Sequence, residues 1–278
     1  MIKAVFILTK EKPDLVFGFG GYVSFPISFV SKFFNIPLVI YENNMILGRA
    51  NKYLSIFSKK IFISRKIMDK FLKKYKRKIF EVGPILNKKI INYPEINKNS
   101  NIFSILVIGG SQGAEIFGKI IPNIIKKLND EVDKIKIFQQ CSKGQQEEIS
   151  NFYKKNNIKN YVFEFDKNIS ELILSSDLAI TRCGASSTAE LAYALTPFIA
   201  IPLPDSIDNH QHLNAKYYEN MGCCWVMEQK NLNEKNLFNL IADTLKNKNK
   251  LEQIRLNMKK IHSKDVYKNI ENEIKEFI

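Results

Sequence analysis

The chain has 278 residues, 45% hydrophobic and 25% charged, which is enough to bury a core and too mixed for a fibrous or disordered protein. Cys141, Cys183, Cys223 and Cys224 lack CxxC spacing, so they read as reduced thiols and not as a zinc site or disulfide framework. The net charge of +14 reflects a Lys-rich, Arg-poor composition; it suits anionic surfaces or phosphorylated substrates, and without RNP-type motifs or interleaved aromatics it does not indicate nucleic acid.

Residues 1–9 read as the last turns of a helix, with no cleavage-type site before Lys10-Glu11-Lys12. Leu15-Val16-Phe17 is the first strand, and Gly18-Phe19-Gly20-Gly21-Tyr22 after it is an anion- or acceptor-type loop. An apolar helix is expected over residues 25–34; it carries Pro26 and Lys32 and is too short to span a bilayer. The strand at 37–41 ends on Glu42-Asn43-Asn44, where a lone carboxylate is either a weak candidate base or a capping or solvated group. Lys59-Lys60, Lys66, Lys70, Lys73-Lys74 and Lys76-Arg77-Lys78 then crowd the region around the strand at 60–63, a pattern suited to an anionic membrane surface.

Residues 85–101 turn polar and irregular and form the expected linker. Only about three strands fit before it, whereas a doubly wound domain takes about five or six. The first module is therefore expected to be very small or to lack its opening. Beyond the linker, apolar runs at 104–108, 135–138, 178–180 and 198–201 alternate with helical patterns. Continuous apolar strands of this kind imply a parallel sheet covered on both faces. A charged amphipathic helix over 266–278 ends the chain.

Three loops in the second module could hold a nucleotide sugar. Gly109-Gly110-Ser111-Gln112-Gly113 lies between a strand and a helix expected over 114–128, where backbone N–H groups and the helix dipole favour a diphosphate. It is neither a Walker A loop nor a clean GxGxxG, and a ligand-free tight turn is the alternative. Arg182-Cys183-Gly184-Ala185-Ser186-Ser187-Thr188-Ala189-Glu190 repeats the arrangement; Glu190 could take a ribose diol or close a capping box with Ser187. The loop over 202–215 follows a buried strand, where open α/β sheets bind ligands, and offers Gln211 and Asn214 to sugar hydroxyls. His210 and His212 have only His262 beside them in the chain, so no metal is expected.

Taken in order, these motifs resemble the MurG family, peripheral-membrane N-acetylglucosaminyltransferases that convert lipid I to lipid II in peptidoglycan synthesis. The likeness runs through Lys12-Pro13-Asp14 to Gly20-Gly21-Tyr22, Glu42-Asn43-Asn44 with Asn51-Lys52, Gly109 to Ala114, Arg182 to Glu190, and Asp208 to Gln211 with Asn214-Ala215. It implies an α/β GT-B glycosyltransferase fold: two Rossmann-like domains facing a cleft, the first incomplete. The expected division is 1–86 for the acceptor and membrane-facing domain and 87–258 for the UDP-sugar domain, with 259–278 packing back on the first.

By the same resemblance, Ser111, Gln112 and Gly113 face the diphosphate. Ala185, Ser186, Ser187, Thr188 and Ala189 face the diphosphate and uridine, Glu190 the ribose and Gln211 the N-acetylglucosamine hydroxyls. Asn44 belongs to the cleft, the backbone at Phe165-Asp166 to the base, and Gly20, Gly21 and Tyr22 to the acceptor side. The implied partners are UDP-N-acetylglucosamine, undecaprenyl-linked lipid I and the cytoplasmic face of the inner membrane, with no cofactor. Three departures stand out. The family's opening Gly-Gly-Thr-Gly-Gly-His loop is absent, roughly three βα units and on the order of 80 residues. An Asn-Pro-x-Arg motif becomes Gly83-Pro84-Ile85-Leu86, and His-Glu-Gln-Asn becomes Tyr41-Glu42-Asn43-Asn44. A non-catalytic UDP-sugar-binding relic and a GT-B enzyme with another acceptor are the rival readings.

Overall fold

The computed structural model describes residues 1–66, 70–92, 102–110, 115–132, 134–262 and 265–278. They form two compact units, Met1–Ile85 with Ser263–Ile278, and Leu86–His262. The first unit runs α1 (Ile2–Glu11), β1 (Val16–Gly18), α2 (Gly21–Val30), β2 (Leu38–Glu42), α3 (Arg49–Leu54), β3 (Lys60–Ile63) and β4 (Ile79–Glu81). Its strands lie parallel in the order β1-β2-β3-β4. That is four strands where about three were expected. β4 has only Ile79 and Phe80 as apolar residues and directly follows a lysine run, which hides its pattern.

Side chains alternate across a strand, and β2 divides accordingly. Leu38 and Ile40 join Ala4, Leu8, Val30 and Leu54 in one core cluster, while Val39 and Tyr41 join Phe62 and Val82 in another.

The second unit runs α4 (Lys88–Ile91), β5 (Phe103–Ile108), α5 (Glu115–Val132), β6 (Ile135–Gln140), α6 (Gln146–Lys155), β7 (Lys159–Phe163) and α7 (Ile169–Leu174). It continues through β8 (Leu178–Thr181), α8 (Ala185–Tyr193), β9 (Phe198–Ala200), α9 (His210–Asn220), β10 (Cys224–Val226), α10 (Glu234–Lys246) and α11 (Lys248–Lys260). The parallel sheet has the order β10-β9-β8-β5-β6-β7. Strand order reverses between β5 and β8, so the loops leaving these two strands flank the switch point of a doubly wound sheet. Ile105 and Val107 of β5 pack with α5 and α10, and Leu106 and Ile108 with Leu191, Ala215 and Met258. The edge strands β7 and β10 escaped the sequence pattern: β7 opens on Lys159-Asn160 and β10 is only Cys224-Trp225-Val226.

The last helix, α12 (Val266–Ile274), supplies the second layer of the first sheet. Ile270, Ile274 and Phe277 pack against the cluster of Val39, Tyr41, Phe62 and Val82. Lys60 Nζ donates to Glu273 O at 2.7 Å and Glu273 Oε2 at 2.8 Å, pairs with Glu276 at 3.0 Å, and lies over the rings of Phe80 and Phe277. The chain returns to the first unit after His262, not after 258, because Met258 on α11 is fully buried in the core of the second.

Candidate functional site

In the second unit the loops at the C-terminal strand ends are tied to one another by side chains. Gly109 N donates to Gln140 Oε1 at 3.0 Å, and Gln140 Nε2 donates to Glu164 O at 3.1 Å, so one glutamine links the β5 loop to the turn after β7. Gly110 has φ +87°, a left-handed backbone that disfavours any side chain. The expected diphosphate residues Ser111, Gln112 and Gly113 lie outside the described residues.

The loop after β8 is held by Arg182, which is buried and donates through Nη1 to Ile201 O at 3.1 Å and Pro202 O at 3.3 Å. Its Nη2 reaches Gln229 Oε1 at 2.5 Å. The capping box between Ser187 and Glu190 does not form. Gly184 is the N-cap, without a side-chain cap bond, and Ser187 already lies inside α8. A helix has no i−4 carbonyl for its first N–H groups, and here the first intrahelical bond is Thr188 N to Gly184 O. The turn at Ala185, Ser186 and Ser187 thus presents backbone donors and positive dipole, while Thr188 and Ala189 bury their side chains in the core. Glu190 is half-buried, and burial pushes its carboxyl up while a hydrogen bond from the Asn87 backbone N–H pulls it back.

Helix α9 grips this loop from the other side. Gln211 Oε1 accepts from Cys183 N at 3.1 Å and Leu203 N at 3.0 Å, and Asn214 Nδ2 donates to Cys183 O at 3.0 Å. Residues three apart on a helix share a face, so the pair holds one residue, Cys183, by both its backbone polar groups. Asn214, 1% exposed, is therefore part of the scaffold and not a group for sugar hydroxyls. Gln211 remains half-exposed, and among the described residues its Nε2 donates to no protein acceptor. His210 Nδ1 meets Ile207 O at 2.7 Å while His212 Nδ1 pairs with Glu228 at 2.9 Å, so the two rings serve separate partners. Asp166 accepts from Asn168 N at 2.6 Å and Tyr161 Oη at 2.9 Å, which fixes the turn that leaves Phe165 exposed. Burial pushes the Cys183 thiol far above the usual range, which excludes it as a nucleophile.

In the first unit the Glu42 carboxylate is 5% exposed and already occupied. Oε1 accepts from Asn44 N at 3.1 Å and Asn44 Nδ2 at 3.0 Å, and Oε2 from Gly48 N at 2.9 Å and Asn51 Nδ2 at 3.0 Å. A group so saturated organises the 43–48 loop, which corrects its reading as a general base. Asn51 also donates to Tyr41 O at 3.0 Å and sits against Gly20, whose φ of +75° suits glycine. Through Asn51, then, Glu42 is coupled to the Gly20-Gly21 loop, from which Tyr22 stands 95% exposed. Tyr41 Oη accepts from Ile85 N at 3.0 Å and donates to Gly83 O at 3.1 Å. The organising parts played by Asn51, Gln140 and Arg182 were not read from the sequence; the only signal was their place within or beside the loop motifs.

Residues 104–270 match the glycosyltransferase family 28 C-terminal domain, and residues 1–63 its N-terminal domain. A Pelagibacter ubique protein named UDP-N-acetylglucosamine--N-acetylmuramyl-(pentapeptide) pyrophosphoryl-undecaprenol N-acetylglucosamine transferase is 36% identical, over 97% of this chain and 76% of its own length. A Rickettsia canadensis protein of the same name is 37% identical, over 100% of this chain and 79% of its own. Among solved structures, Acinetobacter baumannii MurG superimposes with a TM-score of 0.79 at 25% identity, covering 99% of this chain and 78% of that one. An S. aureus MnaA structure with UDP, 14% identical with a TM-score of 0.74 over 99% of this chain and 79% of that one, shares the fold.

Proposed function

The chain belongs to the MurG family of GT-B glycosyltransferases, and on that premise we propose that it transfers N-acetylglucosamine from UDP-N-acetylglucosamine to the muramyl 4-hydroxyl of lipid I, giving lipid II. The acceptor hydroxyl oxygen attacks the anomeric carbon from the face opposite the diphosphate and gives up its proton to solvent. The bond from that carbon to the phosphate oxygen breaks, and UDP leaves with the electron pair.

The observation that carries the donor site is the clamp of Gln211 and Asn214 on Cys183, which fixes the start of α8 at the switch point of the sheet. N–H groups of a helix start stabilise the charge that develops on a departing diphosphate, provided they are held in place beforehand. On this reading Ala185, Ser186 and Ser187 face the diphosphate, Glu190 takes the ribose hydroxyls, the 165–166 turn the base, and the Gln211 amide the sugar. Gly20, Gly21 and Tyr22 serve the acceptor. The exposed apolar residues of the first unit rest on the cytoplasmic face of the membrane; no helix of the described residues is long and apolar enough to cross one.

The test is a transfer assay with a lipid I analogue and a panel of nucleotide sugars. Transfer from UDP-N-acetylglucosamine alone is the expected result. Donor binding without transfer to any acceptor would reduce the protein to a binding relic, and transfer to a different acceptor would correct the substrate.

A further inference from the structure

Two adjacent glutamines end β6, and the alternation of a strand sends them to opposite faces of the sheet. Gln139, fully buried, accepts from Tyr153 Oη and donates through Nε2 to Phe117 O at 3.3 Å, so its amide ties the sheet to α5 and α6. Gln140, 7% exposed, serves the loops instead: Oε1 takes the Gly109 N–H at 3.0 Å, and Nε2 donates to Glu164 O at 3.1 Å. Glu164 is held a second time, since its Oε1 accepts from Gly144 N at 2.9 Å. Next in the chain come the exposed ring of Phe165 and then Asp166, whose carboxylate closes the turn.

The strands do not need the Gln140 amide. β5 and β6 pair as far as Val107 and Gln139, β6 and β7 as far as Gln140 and Phe163, and no pair of residues follows in either ladder. A side-chain amide has the donors and the acceptor of a peptide unit, and here it adds one rung on each side, between loops that have already left the ladders. A buried amide left unpaired costs about 1–3 kcal/mol, a cost that an apolar side chain on the same face as Phe138 would not carry. What the amide supplies, and an apolar residue could not, is a connection between the two loops.

Resting on the nucleotide-sugar reading above, we propose that Gln140 is a positioning residue of the donor site. It yokes Gly109, at the start of the diphosphate loop, to the turn that takes the base, so that the two ends of one nucleotide are bound together. A turn reads a base through backbone donors and acceptors, and uracil presents a carbonyl acceptor where cytosine presents an amino donor. That difference is felt only by a turn held still, since a peptide group free to move can meet either base. Gln140 holds this one from the end of a buried strand. Coupling of this kind is reciprocal: whatever fixes the base turn also fixes Gly109.

Gln140→Met keeps the length of the side chain and removes both hydrogen bonds. Calorimetry with UDP and with CDP reads base preference apart from affinity, and Gln139→Met is the control for a glutamine that only supports the fold. Gln140→Met is expected to lower the preference for UDP over CDP by about three- to tenfold, the range of one ordinary hydrogen bond. Gln139→Met should lose stability in urea and keep the wild-type preference. A folded Gln140→Met with the wild-type preference, or an equal loss of preference in Gln139→Met, would overturn the proposal.

If Gln140→Met does not fold, hydrogen exchange in the wild-type protein decides. Uridine carries no phosphate, yet through the link it should slow exchange of the Gly109 N–H along with that of the 165–168 backbone. Protection of the turn with none at Gly109 overturns the proposal and leaves the donor reading standing. Failure of UDP to bind the wild type, or to protect the turn, removes the donor reading itself, and this inference goes with it.

Discussion

Asn51 Nδ2 donates at 3.0 Å to the buried carboxylate of Glu42, joining the end of β2 to the helix that follows it. The same carboxylate takes three more N–H groups, so its loss strands several donors at once. Glu42→Ala is expected to cost about 2–4 kcal/mol of stability in urea unfolding, and Glu42→Gln less, with activity falling in step. A Glu42→Gln protein of full stability that loses more than about 100-fold in turnover would return the residue to acid–base chemistry.

Glu190 is the residue on which the nucleoside reading rests most. Glu190→Ala should weaken UDP-N-acetylglucosamine by about 1–3 kcal/mol, the usual cost of removing a charged hydrogen-bond partner. Unchanged affinity in calorimetry would leave the side chain with nothing but its contact to Asn87.

Gln211 has two separable duties, because its oxygen holds Cys183 and Leu203 while its amide makes no bond to protein among the described residues. Gln211→Glu keeps the two accepted bonds and loses the amide donor, so it should weaken UDP-N-acetylglucosamine by about tenfold and UDP by less. Gln211→Ala loses both duties and should weaken the two ligands alike. Identical profiles for the two variants would show that the residue only supports the loop.

Legibility in the sequence followed burial. Central strands such as β2, β5 and β8 are covered on both faces and read as continuous apolar runs, so the parallel α/β class was plain. β4, β7 and β10 lie at sheet edges, are mixed in character, and were missed. The Gly-rich loops were visible because a helix N-terminus after a strand has a local signature. Ser187 with Glu190 looked like a capping box by spacing alone, since spacing does not report where the helix begins, and Gly184 begins it one turn earlier. The partners of Glu42, Arg182 and Asn214 were hidden for a different reason: long-range hydrogen bonds leave no periodic trace.

Lys60 fastens α12 to the first sheet, and this contact should respond to alkali. Burial pushes the Lys60 ammonium down, but the hydrogen bonds and charges of Glu273 and Glu276 together outweigh it, leaving the folded pKa raised. A raised value means the stabilisation is complete below the unfolded lysine value of about 10.4 and is lost as pH climbs through the folded one. Lys60→Met should therefore cost about 1–2 kcal/mol at neutral pH, discounted for the exposure of Glu276, and the gap to wild type should close only above about pH 10.5. A gap that narrows between pH 7 and 9 would show that the pair is not its source.

The apolar stretch 25–34 lies in the unit proposed to meet the membrane, and the structure narrows the residues able to do so. Ser28, Val30 and Ser31 are buried, and Phe25, Ile27 and Phe29 pack against the core of the first unit. Outward on and beside this stretch are Tyr22 at 95% exposure, Val23 at 94%, Phe33 at 69%, Ile56 at 59%, Tyr53 at 51% and Phe34 at 37%. Phe33 and Tyr53 both touch Phe29, at ring separations of 5.6 and 6.0 Å, so these two belong to one aromatic cluster. Lys32 stands over the adjoining Phe57 ring, which places a cation beside that cluster. Aromatic side chains rimmed by lysines suit the boundary of an anionic bilayer, where each basic group near the surface contributes about 1 kcal/mol at low salt. Sedimentation with anionic vesicles should therefore show binding that falls between 0.05 and 0.5 M salt, values chosen to bring the Debye length from roughly 14 Å down to about 4 Å. Phe33→Ser with Ile56→Ser should weaken that binding by about tenfold, since burying apolar side chains of this size contributes about 1.5–3 kcal/mol each when complete. Equal binding to neutral and anionic vesicles, or full binding by the double variant, would move the membrane contact to another surface.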